Sequence, residues 1–455
     1  VFIMSKNEFI NIEMINDFSN CYNGNSRKKV LSDAVIKAGI NDVSMSHTSV
    51  ADMHFDFSEE IDVGKVTHQK SSGRCWMFAA LNNIRYSISK VLNMKDKNFE
   101  LSQSYTMFWD KLEKSNLFLE NIIETIEEEI DSRNVMWLLN SPMNDGGQWD
   151  MFVALVEKYG IVPKYVMPET YHSSNSMMIN RLLNLKLRKD AKILRDLSEN
   201  GSNLEDLRAK KAEMLNDIYS ILCYFLGEPP KTFDFEYRDK NNNFHRETGL
   251  TPVKFYHRYS GVKVNDYVSI INAPTKDKPF NRTYTVKFLG SAKDGKAIHY
   301  LNLEIDKLRE LSIAQLENGE PVWFGCDVGK MSNKDLGIMD TDLFNYEEVL
   351  DTDLQMSKGD RLVYGESVLT HAMVFTGVNL VDGKPNRWKV QNSWGEEPGQ
   401  KGFFIMSDKW FGEFNYEVVI NKKYLSDEFL KAYEQKPIVL NPWDPMGSLA
   451  NSCYY

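Results

Sequence analysis

The sequence predicts an α+β fold, with helices in the first half and antiparallel strands in the second. Three observations carry this. Apolar residues before about position 225 recur mostly at steps of three and four, the spacing of one helix face. From Thr251 onward they alternate in short runs, the period of half-buried strands. Composition completes the case: 455 residues, 42% apolar and 12% aromatic, with no fixed-period repeat, describe a globular chain long enough for a large core.

The first well-marked helix follows Cys75, where Phe78, Leu81, Ile84, Ile88 and Leu92 define a stripe; Ser71, Ser72 and Gly73 are expected to cap it. Helical spacing resumes at Met107. It is broken by Ser141-Pro142 and by Asn144-Asp145-Gly146-Gly147, read as an exposed tight turn, and a new helix is expected from Trp149. A charged helical hairpin spans Met178 to Phe225, interrupted at Asn200-Gly201 and restarted by a capping box of Ser202 with Glu205. Strand-like runs follow through Tyr284, Val286 and Phe288, then His299, Leu301 and Leu303. The apolar run His371 to Val378 and the alternation Trp388 to Asn392 are the two clearest strands.

Charge and cysteine usage exclude several functions. With 54 Lys plus Arg against 64 Asp plus Glu, the net charge of −10 argues against general binding to nucleic acid or anionic membranes. The local basic cluster Lys186, Arg188, Lys189, Lys192 and Arg195 reads as a solvated helix face rather than a nucleic-acid site. Five scattered cysteines without a CxxC pair suggest neither zinc nor a disulfide framework and fit a reducing cytoplasm. No cofactor or metal is expected. No run of about 18 apolar residues suggests a membrane span.

Cys75 is the sharpest chemical candidate, because a thiol in the first turn of a helix lies at the positive end of the macrodipole. Cys21, Cys223 and Cys326 read as small buried hydrophobes. Six residues before Cys75, Gln69 offers an amide donor that can complete an oxyanion hole with a backbone N–H. His371, at the rim of its apolar strand, is the histidine most in need of a partner or a role. Asn392 ends the next strand, so its amide oxygen is expected at the far ring nitrogen of His371, with Trp394 shielding the bond.

These residues, in the order Gln69, Cys75-Trp76, His371 and Asn392-Ser393-Trp394-Gly395, resemble the papain-like cysteine proteases. Ser72 stands where papain-type enzymes carry a disulfide cysteine. The 296 positions between Cys75 and His371 exceed the roughly 130 to 150 usual there. Both departures narrow the resemblance to the bleomycin hydrolase and aminopeptidase C branch. LSQSYTMFWDKLEKSN (from Leu101), NDGGQWDMF (from Asn144), VEKYGIVPK (from Val156), PVWFGCDVGK (from Pro321) and WDPMGSLA (from Trp443) are similar to it as well.

The resemblance implies a papain-like fold, a helical subdomain plus an antiparallel β-barrel-like subdomain, with an inserted helical region and extensions at both ends. It divides the chain into an oligomer-contacting extension over 1–60, a helical subdomain carrying the nucleophile over 61–165 and the insertion over 166–250. A β-rich subdomain over 251–435 and a C-terminal arm in the cleft over 436–455 follow. It implies catalysis by Cys75, His371 and Asn392, an oxyanion hole of Gln69 and Cys75, and substrate-backbone binding by Gly146-Gly147. It further implies a homohexamer, peptide or aminoacyl amide substrates, and an arm whose terminal carboxylate meets the substrate's amino group. Here the arm continues past Ala450 through Asn451 to Tyr455, so trimming by Cys75 after Ala450 is expected. An oligomeric binding shell would not need the full set Gln69, Cys75, His371 and Asn392. An endopeptidase would differ only in leaving the cleft clear of the arm.

Overall fold

In a computed structural model, the structure describes residues 8–451. Two apolar cores meet along the helix Cys75–Val91. One gathers the helices Cys75–Val91, Gln103–Glu124, Trp149–Tyr159, Met177–Glu199 and Leu204–Leu226. The other fills one face of the large sheet, between its central strands and the helices Ile305–Glu317 and Asp408–Phe414. Trp323 belongs to the first core although its strand also feeds the second, and its indole N–H donates to the Trp76 carbonyl at 3.0 Å.

The middle of the sheet is antiparallel. Its order is Tyr267–Ile271, Asn415–Asn421, Val322–Cys326, His371–Val381, Lys384–Gln391 and Phe403–Ser407. Alternation explains the register. Val322, Phe324 and Cys326 face the sheet core with Met373 and Phe375, while Trp323, Ala372 and Val374 face the helices. Three pairings outside this middle are parallel, so the sheet is mixed rather than wholly antiparallel as expected: Met406 with Met339, Ile270 with Leu301, and Val439 with Thr285.

Several local expectations need correction. The Cys75 helix begins where expected, but its N-cap is Arg74, with no side-chain cap. Ser72 turns its hydroxyl to the Gln69 carbonyl instead, at 2.6 Å. The capping box of the second hairpin helix is Asn203 with Asp206, one residue beyond the expected pair, because the Asn203 amide oxygen reaches both the Glu205 and Asp206 N–H groups. The stretch 233–250 forms a two-stranded hairpin, and Pro252–Tyr259 is a helix where strands were expected to start; Thr251 caps it and Pro252 occupies its first turn. Phe288 lies outside the strand Arg282–Val286, in a left-handed backbone conformation. Cys21 is exposed and Cys223 half-buried; only Cys326 of the three has the buried setting expected of them.

Four of the five cations in the basic cluster are spent within the chain. Lys186 pairs with Asp190 and Lys192 with Asp196, while Arg188 donates to the Leu139 and Asn140 carbonyls and Arg195 to the Glu128 carbonyl. Among the described residues, no helix is long and apolar enough to cross a membrane.

Candidate active site

Cys75 opens its helix deep in the molecule, at 2% exposure. Arg74, fully buried before it, is clamped by Glu169 through two hydrogen bonds at 3.1 and 2.7 Å, which fixes the entry of the chain into the helix. The helix packs on the strand His371–Val381. His371 pairs in register with Cys326, whose thiol is pushed up chiefly by burial and further by Asp327 and Cys75. His371 and Cys75 are thus brought to the same end of the helix-to-sheet seam.

His371 Nε2 lies 2.8 Å from Asn392 Oδ1, the bond expected from sequence. The amide oxygen can only accept, so Nε2 carries a proton and Nδ1 remains for proton exchange. The Trp394 ring lies 4.8 Å from the imidazole, tilted by 36°, and covers this pair. Burial lowers His371 to about 4, and the Asn392 hydrogen bond works against that shift. A lone imidazolium is therefore disfavoured, and one forms readily only beside an anion.

The segment carrying Gln69 is laced to the segment carrying Asn392. The Gln69 N–H donates to the Ser393 carbonyl at 2.8 Å, and the Gly395 N–H donates to the Thr67 carbonyl at 3.1 Å. Ser393 Oγ donates to Gln69 Oε1 at 2.6 Å, and Gln69 Nε2 donates one proton to the Ser72 carbonyl at 2.7 Å. The amide's second proton is left for a ligand. Ser393 carried no assigned role in the sequence, yet it orients the amide; its place between Asn392 and Trp394 was the only signal.

Gly146 and Gly147 are buried, not the exposed turn expected. Each needs its missing side chain. A Cβ on Gly147 would enter the Trp76 indole, and one on Gly146 would overlap the Leu449 carbonyl oxygen and stand 2.9 Å from the Ala450 carbonyl carbon. The loop rests on a charged cluster that sequence reasoning missed. Lys111 Nζ meets Asp145 at 2.8 Å, Lys114 Nζ meets Asp110 at 2.8 Å, and Lys114 also donates to the Gly146 carbonyl at 2.5 Å. Asp145 accepts from the Gly73 N–H, and its carbonyl takes the Trp76 indole proton at 2.7 Å. Burial is the largest influence on its carboxyl, but Lys111, Ser176 and Gly73 outweigh it and hold the group far below the usual range. An i, i+4 Asp110–Lys114 pair reads from sequence as a solvated helix face, and nothing in the residue types reveals that this helix is buried on nearly all sides.

The arm reaches the same loop. Its strand Ile438–Leu440 joins Arg282–Val286, Asp444 pairs with buried Lys278 at 2.8 Å, and the Arg133 guanidinium lies 3.7 Å above the Trp443 ring. Ser448 Oγ donates to the Leu369 carbonyl at 2.7 Å, two residues before His371. Ala450 then lies against Gly146. Of the tail expected to be trimmed, Ser452 to Tyr455 lie outside the described residues.

A buried cysteine opening a helix, a histidine–asparagine pair at the facing strand and a laced glutamine define a papain-like cysteine peptidase. The chain belongs to the Peptidase C1-like family, whose profile matches residues 9–447. It is 52% identical over 441 residues to aminopeptidase C of Listeria monocytogenes, covering 97% of this chain and 99% of that one. It is 49% identical over 431 residues to aminopeptidase C of Streptococcus thermophilus, covering 94% and 96%. The crystal structure of PepW from Lactobacillus rhamnosis HN001 superposes with a TM-score of 0.95 at 51% identity, over 97% of this chain and 99% of that one.

Proposed function

We propose that this cysteine peptidase is an aminopeptidase, similar to bleomycin hydrolase, that removes N-terminal residues from peptides and aminoacyl amides in the cytoplasm. The observation that carries the reading is the arm: its Leu449 and Ala450 lie against Gly146, so the cleft on the N-terminal side of the scissile bond has little room. The names of the relatives agree with it. An endopeptidase would need this stretch of cleft open.

In the proposed reaction Cys75 and His371 form a thiolate–imidazolium pair, in which the thiolate supplies the anion that buried His371 requires. The thiolate attacks the substrate carbonyl. The second proton of the Gln69 amide and the Cys75 N–H stabilise the oxyanion, the latter at a helix start that no side chain caps. His371 Nδ1 gives its proton to the leaving amine, then takes one from the water that hydrolyses the thioester, while Asn392 holds the ring. Gly146 and Gly147 bind the substrate backbone, and Trp76 and Trp394 support the two halves of the site. No metal or cofactor enters the reaction.

Trimming of the arm after Ala450 by Cys75 belongs to this reading, because it would place a carboxylate beside Gly146 to meet the substrate's amino group. Assembly as a homohexamer belongs to it too, supported by the exposed Phe9, Ile10, Ile12, Ile15 and Phe18 at the start of the described chain. Turnover of a fluorogenic aminoacyl amide by wild type and by Cys75→Ala and His371→Ala tests the reading: loss of all turnover in both folded variants is expected. Turnover that persists in Cys75→Ala would overturn it, and a wild type inert on every such amide would favour the binding shell.

A further inference from the structure

Behind the glycine loop lies a buried polar chain that the reaction does not use. Glu417, in the strand Asn415–Asn421, is fully buried, as are Gln148, directly after Gly147, and Tyr300, in the strand Tyr300–Asn302. One end of the Gln148 amide lies 2.7 Å from Glu417 Oε2 and 3.1 Å from Oε1, and its other end lies 3.2 Å from the Tyr300 hydroxyl. The Tyr300 hydroxyl is also 3.2 Å from the carbonyl oxygen of Met446, in the arm.

Two assignments of hydrogens keep both ends of the Gln148 amide paired. With Glu417 protonated, its O–H donates to the Gln148 oxygen, the Gln148 N–H donates to the Tyr300 oxygen, and the Tyr300 proton goes to Met446. With Glu417 ionised, the amide must turn over to donate to the carboxylate. Its oxygen then claims the single Tyr300 proton, and the Met446 carbonyl loses its donor. We propose that Glu417 is a positioning residue: acting through Gln148 and Tyr300, its protonation state makes or breaks one fastening of the C-terminal arm.

Burial is the main cause that raises the Glu417 carboxyl to about 8. Asp150, from the helix Trp149–Tyr159, adds to the rise, and the polar groups of Ser269 and Gln148 oppose it. Lys296 pairs with Asp150 at 2.8 Å and Lys278 with Asp444 at 2.8 Å, so each of these cations is matched to a carboxylate other than Glu417. At neutral pH the acid form holds, and the arm is fastened. Above about pH 8 the Tyr300–Met446 hydrogen bond is lost, while the other contacts of the arm remain.

The catalytic consequence rests on the aminopeptidase reading, but the fastening itself can be measured without substrate. Hydrogen exchange in peptides covering residues 441–451, corrected for intrinsic rates, is followed from pH 6.5 to 9.5 in full-length wild type, Glu417→Gln and Tyr300→Phe. Wild type is expected to lose about fivefold in protection across pH 8, the worth of one hydrogen bond. Glu417→Gln, which keeps an uncharged partner for Gln148, is expected to hold its protection throughout. Tyr300→Phe should lack that fivefold at every pH. A step in Glu417→Gln equal to that of wild type, or full protection in Tyr300→Phe, would overturn the proposal.

The same three proteins assayed with a free and an N-acetylated aminoacyl amide separate the two claims. The substrate's own titration is common to all of them and cancels in the comparison. Discrimination that falls near pH 8 in wild type but not in Glu417→Gln supports the relay. An exchange step without any change in discrimination leaves the relay standing and removes the arm from the explanation of specificity.

Discussion

Replacing Gln69 with alanine separates its chemical from its structural role. The side chain is 1% exposed and makes two hydrogen bonds within the chain, from Ser393 Oγ and to the Ser72 carbonyl. Their loss leaves a buried hydroxyl and a buried carbonyl to find other partners, a stability cost of about 1–3 kcal/mol for each group that fails to do so. The remaining amide proton is the one assigned to the oxyanion. Removing such a donor costs about 10²–10³ in kcat, or roughly 3–4 kcal/mol of transition-state stabilisation, while ground-state binding changes little. Steady-state kinetics on an aminoacyl amide, at a temperature where denaturant titration shows the variant fully folded, should show this fall in kcat with KM nearly constant. Ser393→Ala keeps the donor but loosens it, so a loss of about tenfold or less is expected. A Gln69→Ala enzyme within fivefold of wild type in kcat, or one altered only in KM, would refute the oxyanion role.

Three further outcomes are expected. Burial raises the Glu417 carboxyl to about 8 from its ordinary 4.5, so the folded state holds a proton that the unfolded chain gives up between those values. Its contribution to stability is intact below pH 4.5 and falls by a few kcal/mol as pH rises to about 8; urea titrations of wild type and Glu417→Gln should diverge over that window, and parallel curves would contradict the assignment. Lys114→Met strips Asp110 of its buried partner and should cost about 3–5 kcal/mol in the same titration, whereas a cost below 1 kcal/mol would mean that the pair is solvated. Intact mass followed over time should show removal of Asn451 to Tyr455 in wild type but not in Cys75→Ala, and an active enzyme that keeps its full mass would rule out trimming.

The Cys75 helix, the His371 strand and the Asn392 bond were legible because each rests on a local signal. A stripe of apolar residues marks the helix, an unbroken apolar run marks the strand, and a polar residue ends each strand. Lys111, Lys114, Asp145 and Glu417 were not legible. Their significance lies in burial, which for a charged residue is fixed by what packs on it from distant parts of the chain. Asp145 read as a turn residue for the same reason that Gly146 read as exposed: the arm that covers the loop lies some 300 positions away. The shift of the capping box from Ser202 to Asn203 is a smaller matter, decided by which of two adjacent capping residues reaches the first turn.

The most direct test of the account compares hydrolysis of a fluorogenic aminoacyl amide with that of its N-acetylated twin, with Cys75→Ala as the control. The expected result is cleavage of the free amine alone, abolished in the control. Equal cleavage of both would contradict the account, because it would mean that the arm does not close the cleft to substrates that extend beyond their first residue.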